Sequence, residues 1–145
     1  MISKWIYPEG FNEIDATVFY GFIYRIVNTT NGKFYIGKKI FQNSLKKKIT
    51  QKELAEFTGK GRKPTHTRVT KESNWLSYWG SNKDLLADVK ELGEGNFKRE
   101  ILKLCITKKQ HTYYELYYQC VYNVLETDSY NDNILAKFYR RDFVA

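Results

Sequence analysis

The stretch that constrains this chain most is residues 21–39, GFIYRIVNTTNGKFYIGKK. Residues 19–27, FYGFIYRIV, are rich in aromatic and β-branched side chains, and residues 33–37, KFYIG, resume the pattern. Between them, Asn28-Thr29-Thr30-Asn31-Gly32 carries an Asn-Gly turn signal. Two such runs about one such turn predict a β-hairpin. Alternation puts Ile23 and Arg25 on one face and Phe22, Tyr24 and Ile26 on the other.

Beyond the hairpin, TQKELAEF predicts a short helix capped by Thr50, with Glu53 three residues on. TGKGRKPTHTR reads as loop, having two glycines, a proline and no apolar face. SNKDLLADVKELG predicts a helix capped by Ser81, with Leu85, Val89 and Leu92 on one face and Gly93 as its stop. Residues 96–105, NFKREILKLC, predict a third strand, and residues 108–126 a second long helix. The tail, residues 127–145, reads as loop. This order describes one α+β domain, a three-stranded, mostly antiparallel sheet flanked by helices. The N-terminal arm would be residues 1–18, and residues 40–73 a basic insertion.

With 145 residues, a single domain with a real core is the expectation. No apolar run approaches the roughly 20 residues of a membrane span, and the N-terminus lacks a signal-peptide block. A cytoplasmic protein is expected. Cys105 and Cys120 lack any CxxC or Cys/His neighbourhood and read as two buried free thiols. The net charge of +8 is concentrated. Residues 38–71 hold eleven Lys/Arg against two Glu, and the rest of the chain is close to neutral. Such a block suits phosphate contact, with Lys39, Lys46, Lys47, Lys48, Lys60 and Lys63 as the expected contacts. The plainer reading is a solvated loop, and the two agree if the loop orders on DNA.

His66 and His111 are the only histidines, so histidine-based metal or Ser-His-Asp chemistry is poorly supported. GKGRK lacks the strand and helix of a phosphate loop. An enzyme built here must use Tyr, Lys, Arg and carboxylates.

FIY at 22–24, then YIG at 35–37, resembles the paired signature of the GIY-YIG endonuclease family. The resemblance continues through KDLLADVKELG, NFKREILKL, Glu115 in HTYYELYYQ and Asn131 in SYNDNI, covering about residues 19–135. Within the family the likeness is to small, stand-alone, phage-encoded homing endonucleases. The resemblance implies a small GIY-YIG-type fold and phosphodiester hydrolysis of DNA with one divalent ion, Mg²⁺ or Mn²⁺. It casts Tyr24 as general base or proton relay, Tyr35 as positioning the water or phosphate, and Lys38 as the supporting cation. Gly37 would let backbone and phosphate approach, Glu115 would bind the metal, and Asn131 would brace the site. Tyr118, Gln119 and Tyr122 follow Glu115 at helical spacing and would line the cleft. Taken singly, the tyrosines read as core-edge aromatics and Glu115 and Lys38 as solvated surface; the ordered set favours the functional reading for these four, while for Gln119, Tyr122 and Asn131 a structural role weighs at least equally.

The sequence departs from the family pattern twice. Phe22 stands where the family has Gly, with Gly21 adjacent. The family's phosphate-binding arginine, followed four residues later by His or Tyr, has no counterpart in KKIFQNSLKKKI. Arg68 ranks first as its replacement. Arg62 comes second, with His66 four residues on but Pro64 between, and Lys39 is a further choice. Alternatively NWLSY supplies the element, with Asn74 in the arginine place and Tyr78 in the His/Tyr place. A DNA endonuclease, homing-like or acting on branched or host DNA, is the leading expectation. A nucleic-acid-binding module without catalysis and a basic protein adaptor are the rivals. Target choice would fall to the basic insertion, the N-terminal arm or a homo-oligomer.

Overall fold

The computed structural model describes residues 4–143 except 57, 60 and 63, so Lys60 and Lys63 lie outside the described residues. The hairpin forms as its sequence predicts. Strands β2 (Gly21–Asn28) and β3 (Phe34–Ile40) pair antiparallel, with Tyr24 opposite Gly37 and Ile26 opposite Tyr35. The turn closes on itself: Asn28 Oδ1 accepts from Thr30 N at 3.0 Å, and Gly32 takes φ +77°, where glycine alone is unstrained.

Strand β6 (Phe97–Cys105) pairs with the other side of β2, with one extra residue, Leu102, between the partners of Ile23 and Tyr24. The two-residue strand β1 (Trp5–Ile6) adds to β6 in parallel. Among the described residues the main sheet is therefore four-stranded, in the order β1-β6-β2-β3, one strand more than expected. Two residues are too few to show alternation. What secures β1 is Trp5, whose indole N–H donates to the Trp75 carbonyl at 2.7 Å.

Strand β2 is central and nearly all buried, because each sheet face is covered. Phe22, Tyr24 and Ile26 face a core with Trp5, Phe41, Trp75, Trp79 and Leu85. Ile23 and Ile36 face a second core under helix α3 (Lys108–Val121). Each fully buried Phe or Ile here stabilises by about 1.5–3 kcal/mol. Helix α2 (Lys83–Leu92) is capped by Asn82, not Ser81: Asn82 Oδ1 accepts from Leu85 N at 2.9 Å. Leu85 and Val89 are buried, but Leu92 is exposed. Helix α3 stops at Val121 rather than 126, and Asn123 takes φ +53° just beyond it. Cys105 is buried as expected, whereas Cys120 is exposed.

The basic segment is more ordered than its loop-like sequence suggests. Strand β4 (Gln42–Lys48), short helix α1 (Gln51–Ala55, capped by Thr50) and strand β5 (His66–Glu72) form a separate antiparallel ribbon. The tail folds into a small hairpin of β7 (Asn133–Ile134) and β8 (Phe138–Tyr139). Among the described residues no helix is long and apolar enough to cross a membrane.

Candidate active site

Tyr24 and Tyr35 share one face of the sheet, with ring centroids 6.1 Å apart. Tyr24 is 1% exposed. Burial first, then the neighbouring Tyr35 and Tyr78, hold its hydroxyl pKa well above the ordinary 10. It hydrogen-bonds Tyr78, whose ring stands edge-on at 5.9 Å, and Lys39 Nζ lies 4.1 Å from the Tyr78 centroid. Burial also raises Tyr35, against a hydrogen bond with Ser81. Ser81 thus serves the tyrosine cluster rather than the helix cap.

Gly37 makes this cluster possible. A Cβ there would stand 2.4 Å from Tyr24 Oη and 2.9 Å from Tyr35 Cε1. The space over Gly37 is filled by tyrosine, not left open to a phosphate. Gly21 has an analogous reason: its Cβ would meet the Lys39 carbonyl at 2.6 Å and His111 Nε2 at 2.7 Å. Hence this chain needs glycine at 21, while Phe22 fills the core.

Glu115 reaches the same region from the opposite face of the sheet. It projects from α3 toward β3, the outermost strand, with Lys38 Nζ 4.0 Å from its Oε1. Burial raises the Glu115 pKa and Lys38 opposes that rise. Tyr35, Glu115, Gln119, Asn131, Asn82 and Asp132 line one polar cleft of about 270 Å³. Gln119 also lines this cleft. Tyr118 and Tyr122 instead pack against the core under α3.

The outer edge of β3 is held by side chains. Asn131 Oδ1 accepts from Ile36 N at 3.0 Å and its Nδ2 donates to Ile36 O at 2.8 Å. This two-point pairing stands in for a missing strand between Tyr35 and Gly37. Arg140 locks Asn131 in turn, donating to its carbonyl at 2.8 Å and to Val124 and Thr127 carbonyls at 2.6 Å each. On the tyrosine side, Arg99 donates to Tyr78 O at 2.7 Å. Its guanidinium lies between the rings of Trp5 and Trp79, and burial lowers its pKa to about 10, which leaves it cationic at neutral pH.

The arginine candidates stand elsewhere. Arg68 lies on exposed β5, with Nη1 donating to Ser44 Oγ at 3.4 Å. Arg62 sits in an exposed bend, and His66 at the start of β5 shares a 3.0 Å bond with Thr65. Lys46, Lys47 and Lys48 are exposed on β4. Asn74 precedes a single 3-10 turn, Trp75–Ser77, so NWLSY is no regular α-helix. Lys38 Nζ stands beside the Glu115 carboxylate and Lys39 Nζ over the Tyr78 ring, while Arg99 reaches the Tyr78 carbonyl.

His111, one helical turn before Glu115, was open to detection from that i, i+4 spacing. Its Nε2–H donates to the Phe22 carbonyl at 3.1 Å, and burial lowers its pKa. The folded value lies below the unfolded one of about 6.5, so its contribution is complete above that pH and is lost as pH falls toward the folded value. Urea midpoints at pH 5.5 and 7.5 should therefore diverge in the wild type and converge in His111→Gln. Equal divergence in both proteins would contradict this role.

Among the described residues, no group of three or more His, Cys, Asp or Glu side chains is arranged to hold an ion. The donor set is the one carboxylate of Glu115, with Asp132 on the same cleft. That set fits a hard cation that retains water and completes its shell with phosphate. The raised Glu115 pKa also indicates a carboxylate that a second cation beside it would stabilise.

The family model described as "Putative endonuclease segE, GIY-YIG domain" matches residues 5–141. No curated relative and no solved structure matches the chain.

Proposed function

The chain belongs to the GIY-YIG endonuclease family, and from that premise we propose that it hydrolyses DNA phosphodiester bonds with one Mg²⁺ or Mn²⁺ at the β3 edge. The observation that carries this reading is the meeting of Tyr35 and Glu115 in one polar cleft, with Tyr24 packed against Tyr35. Residues 1–145 act as one nuclease domain in this proposal.

Glu115 would hold the ion, which when bound supplies positive charge to the scissile phosphate. Tyr24 stays protonated at neutral pH, so a free phenolate is not the base. Tyr24 is 1% exposed in the free protein; once bound DNA admits a water to its oxygen, that oxygen takes the water's proton while its own proton passes by way of Tyr78 to solvent. Tyr35, steadied by Ser81, orients the water. Lys38 and Lys39 directly follow Gly37, one beside Glu115 and one over Tyr78, and supply the charge that the family draws from its arginine.

Wild-type protein should nick or linearise supercoiled plasmid in Mg²⁺ and leave it intact in excess chelator. Cleavage undiminished by chelator removes the ion from the mechanism, and no cleavage of any DNA form removes the nuclease reading. A phage-borne, homing-like role is the narrower form of the proposal. It requires preference for linear duplex over junctions and flaps; the reverse preference favours a structure-specific nuclease.

A further inference from the structure

The β4–β5 ribbon has no core of its own. Every position from Asn43 to Lys48 and from His66 to Glu72 is exposed. Its register sorts the side chains into two faces. One carries Ser44 opposite Thr70, Lys46 opposite Arg68 and Lys48 opposite His66. The other carries Asn43 opposite Lys71, Leu45 opposite Val69 and Lys47 opposite Thr67. Like charges directly opposed, as at Lys46 and Arg68, destabilise a strand pair, and an isolated pair is marginal to begin with. The two strands hold five Lys/Arg against one acid, Glu72, which accepts from Trp75 Nε1 at the root. A polyanion along the Lys46–Arg68 face would offset the repulsion that the fold leaves standing.

The ribbon is also aimed by its root. Only Phe41, fully buried, separates β3 from β4, and Ser73 ties the return strand to the Phe41 and Ile40 carbonyls at 2.8 and 2.6 Å. Lys46 follows Lys38 by eight residues, at most about 27 Å of extended chain. That reach is less than one turn of B-DNA, about 34 Å.

We propose that this ribbon lies in the major groove of duplex DNA, with Ser44, Lys46, Lys48, His66, Arg68 and Thr70 toward the base edges, and selects where the enzyme cuts. The major groove admits a two-stranded ribbon, and this face consists of side chains that hydrogen-bond bases and phosphates. Arg68 thereby belongs to target reading rather than to the scissile phosphate. The inference rests on the DNA endonuclease reading above.

The test uses full-length protein and a pool of linear duplexes with a randomised segment. Wild type is compared with Lys46→Ala/Lys48→Ala/Arg68→Ala on the reading face and Lys47→Ala/Lys71→Ala on the other. The reading-face variant should bind at least about tenfold more weakly, with a salt slope smaller by about 2–3. Its cut ends should lose the wild-type base preference within about 10 base pairs of the break. The other variant should keep that preference while losing some affinity. A reading-face variant that binds and cuts like wild type overturns the ribbon proposal alone, as do wild-type ends with no base preference. Wild type that neither binds nor cuts the pool overturns the endonuclease reading with it.

Discussion

Replacing Tyr24 with Phe is expected to lower the DNA cleavage rate by about 10²–10⁴-fold while the protein stays folded. The substitution removes one oxygen from a ring that is 1% exposed and packed among Trp5, Phe22, Tyr35 and Tyr78. The ring contacts remain. The cost to stability is the hydrogen bond with Tyr78, about 1 kcal/mol. The loss to catalysis is larger because the relay loses its first member. Single-turnover cleavage of plasmid, read beside thermal unfolding, separates the two effects. Near-wild-type cleavage by Tyr24→Phe would show that the hydroxyl carries no proton and that Tyr24 is a packing residue.

Gly37→Ala should be almost as damaging for a different reason. Its Cβ would lie 2.4 Å from Tyr24 Oη and 2.6 Å from Tyr24 Cζ, so both tyrosine rings must move. Overpacking of this kind costs about 1–3 kcal/mol, and a displacement near 1 Å in a catalytic group costs about 100-fold in rate. Gly32→Ala is the matched control. Gly32 has φ +77° but nothing within 4 Å of a Cβ, so alanine there is strained by about 1–2 kcal/mol without touching the site. Gly37→Ala should therefore lose cleavage out of proportion to its loss of stability, and Gly32→Ala should not. Equal activity in the two variants would mean that the tyrosines tolerate displacement.

The parts legible in the sequence were those written in local chemistry. The β2–β3 turn announces itself through Asn and Gly, and the helix bearing Glu115 through its periodicity. The faces of β2 follow from alternation, which correctly separated Tyr24 from Ile23. The rest depends on contacts distant in sequence. Strand β1 is two residues long and is secured by Trp5 against Trp75. The ribbon lacks the apolar alternation by which strands are recognised, since neither of its faces is buried. Ser81 reads as a helix cap, and only the fold brings it to Tyr35. Arg140 leaves no local signal, because its partners are carbonyls of a loop that the fold wraps around it. No local spacing after YIG points to an arginine at this site; the fold brings Lys38 to Glu115, Lys39 to the Tyr78 ring and Arg99 to the Tyr78 carbonyl.

In the proposed mechanism, tyrosines from one sheet face and Glu115 from the other form one ion-dependent site at the β3 edge. The most direct measurement is cleavage of supercoiled plasmid in Mg²⁺ by wild type and Glu115→Gln side by side, with duplex binding measured for both. Wild type should cut, and Glu115→Gln should bind DNA as well while cutting at least about 100-fold more slowly. Equal cleavage by the two proteins would contradict the account.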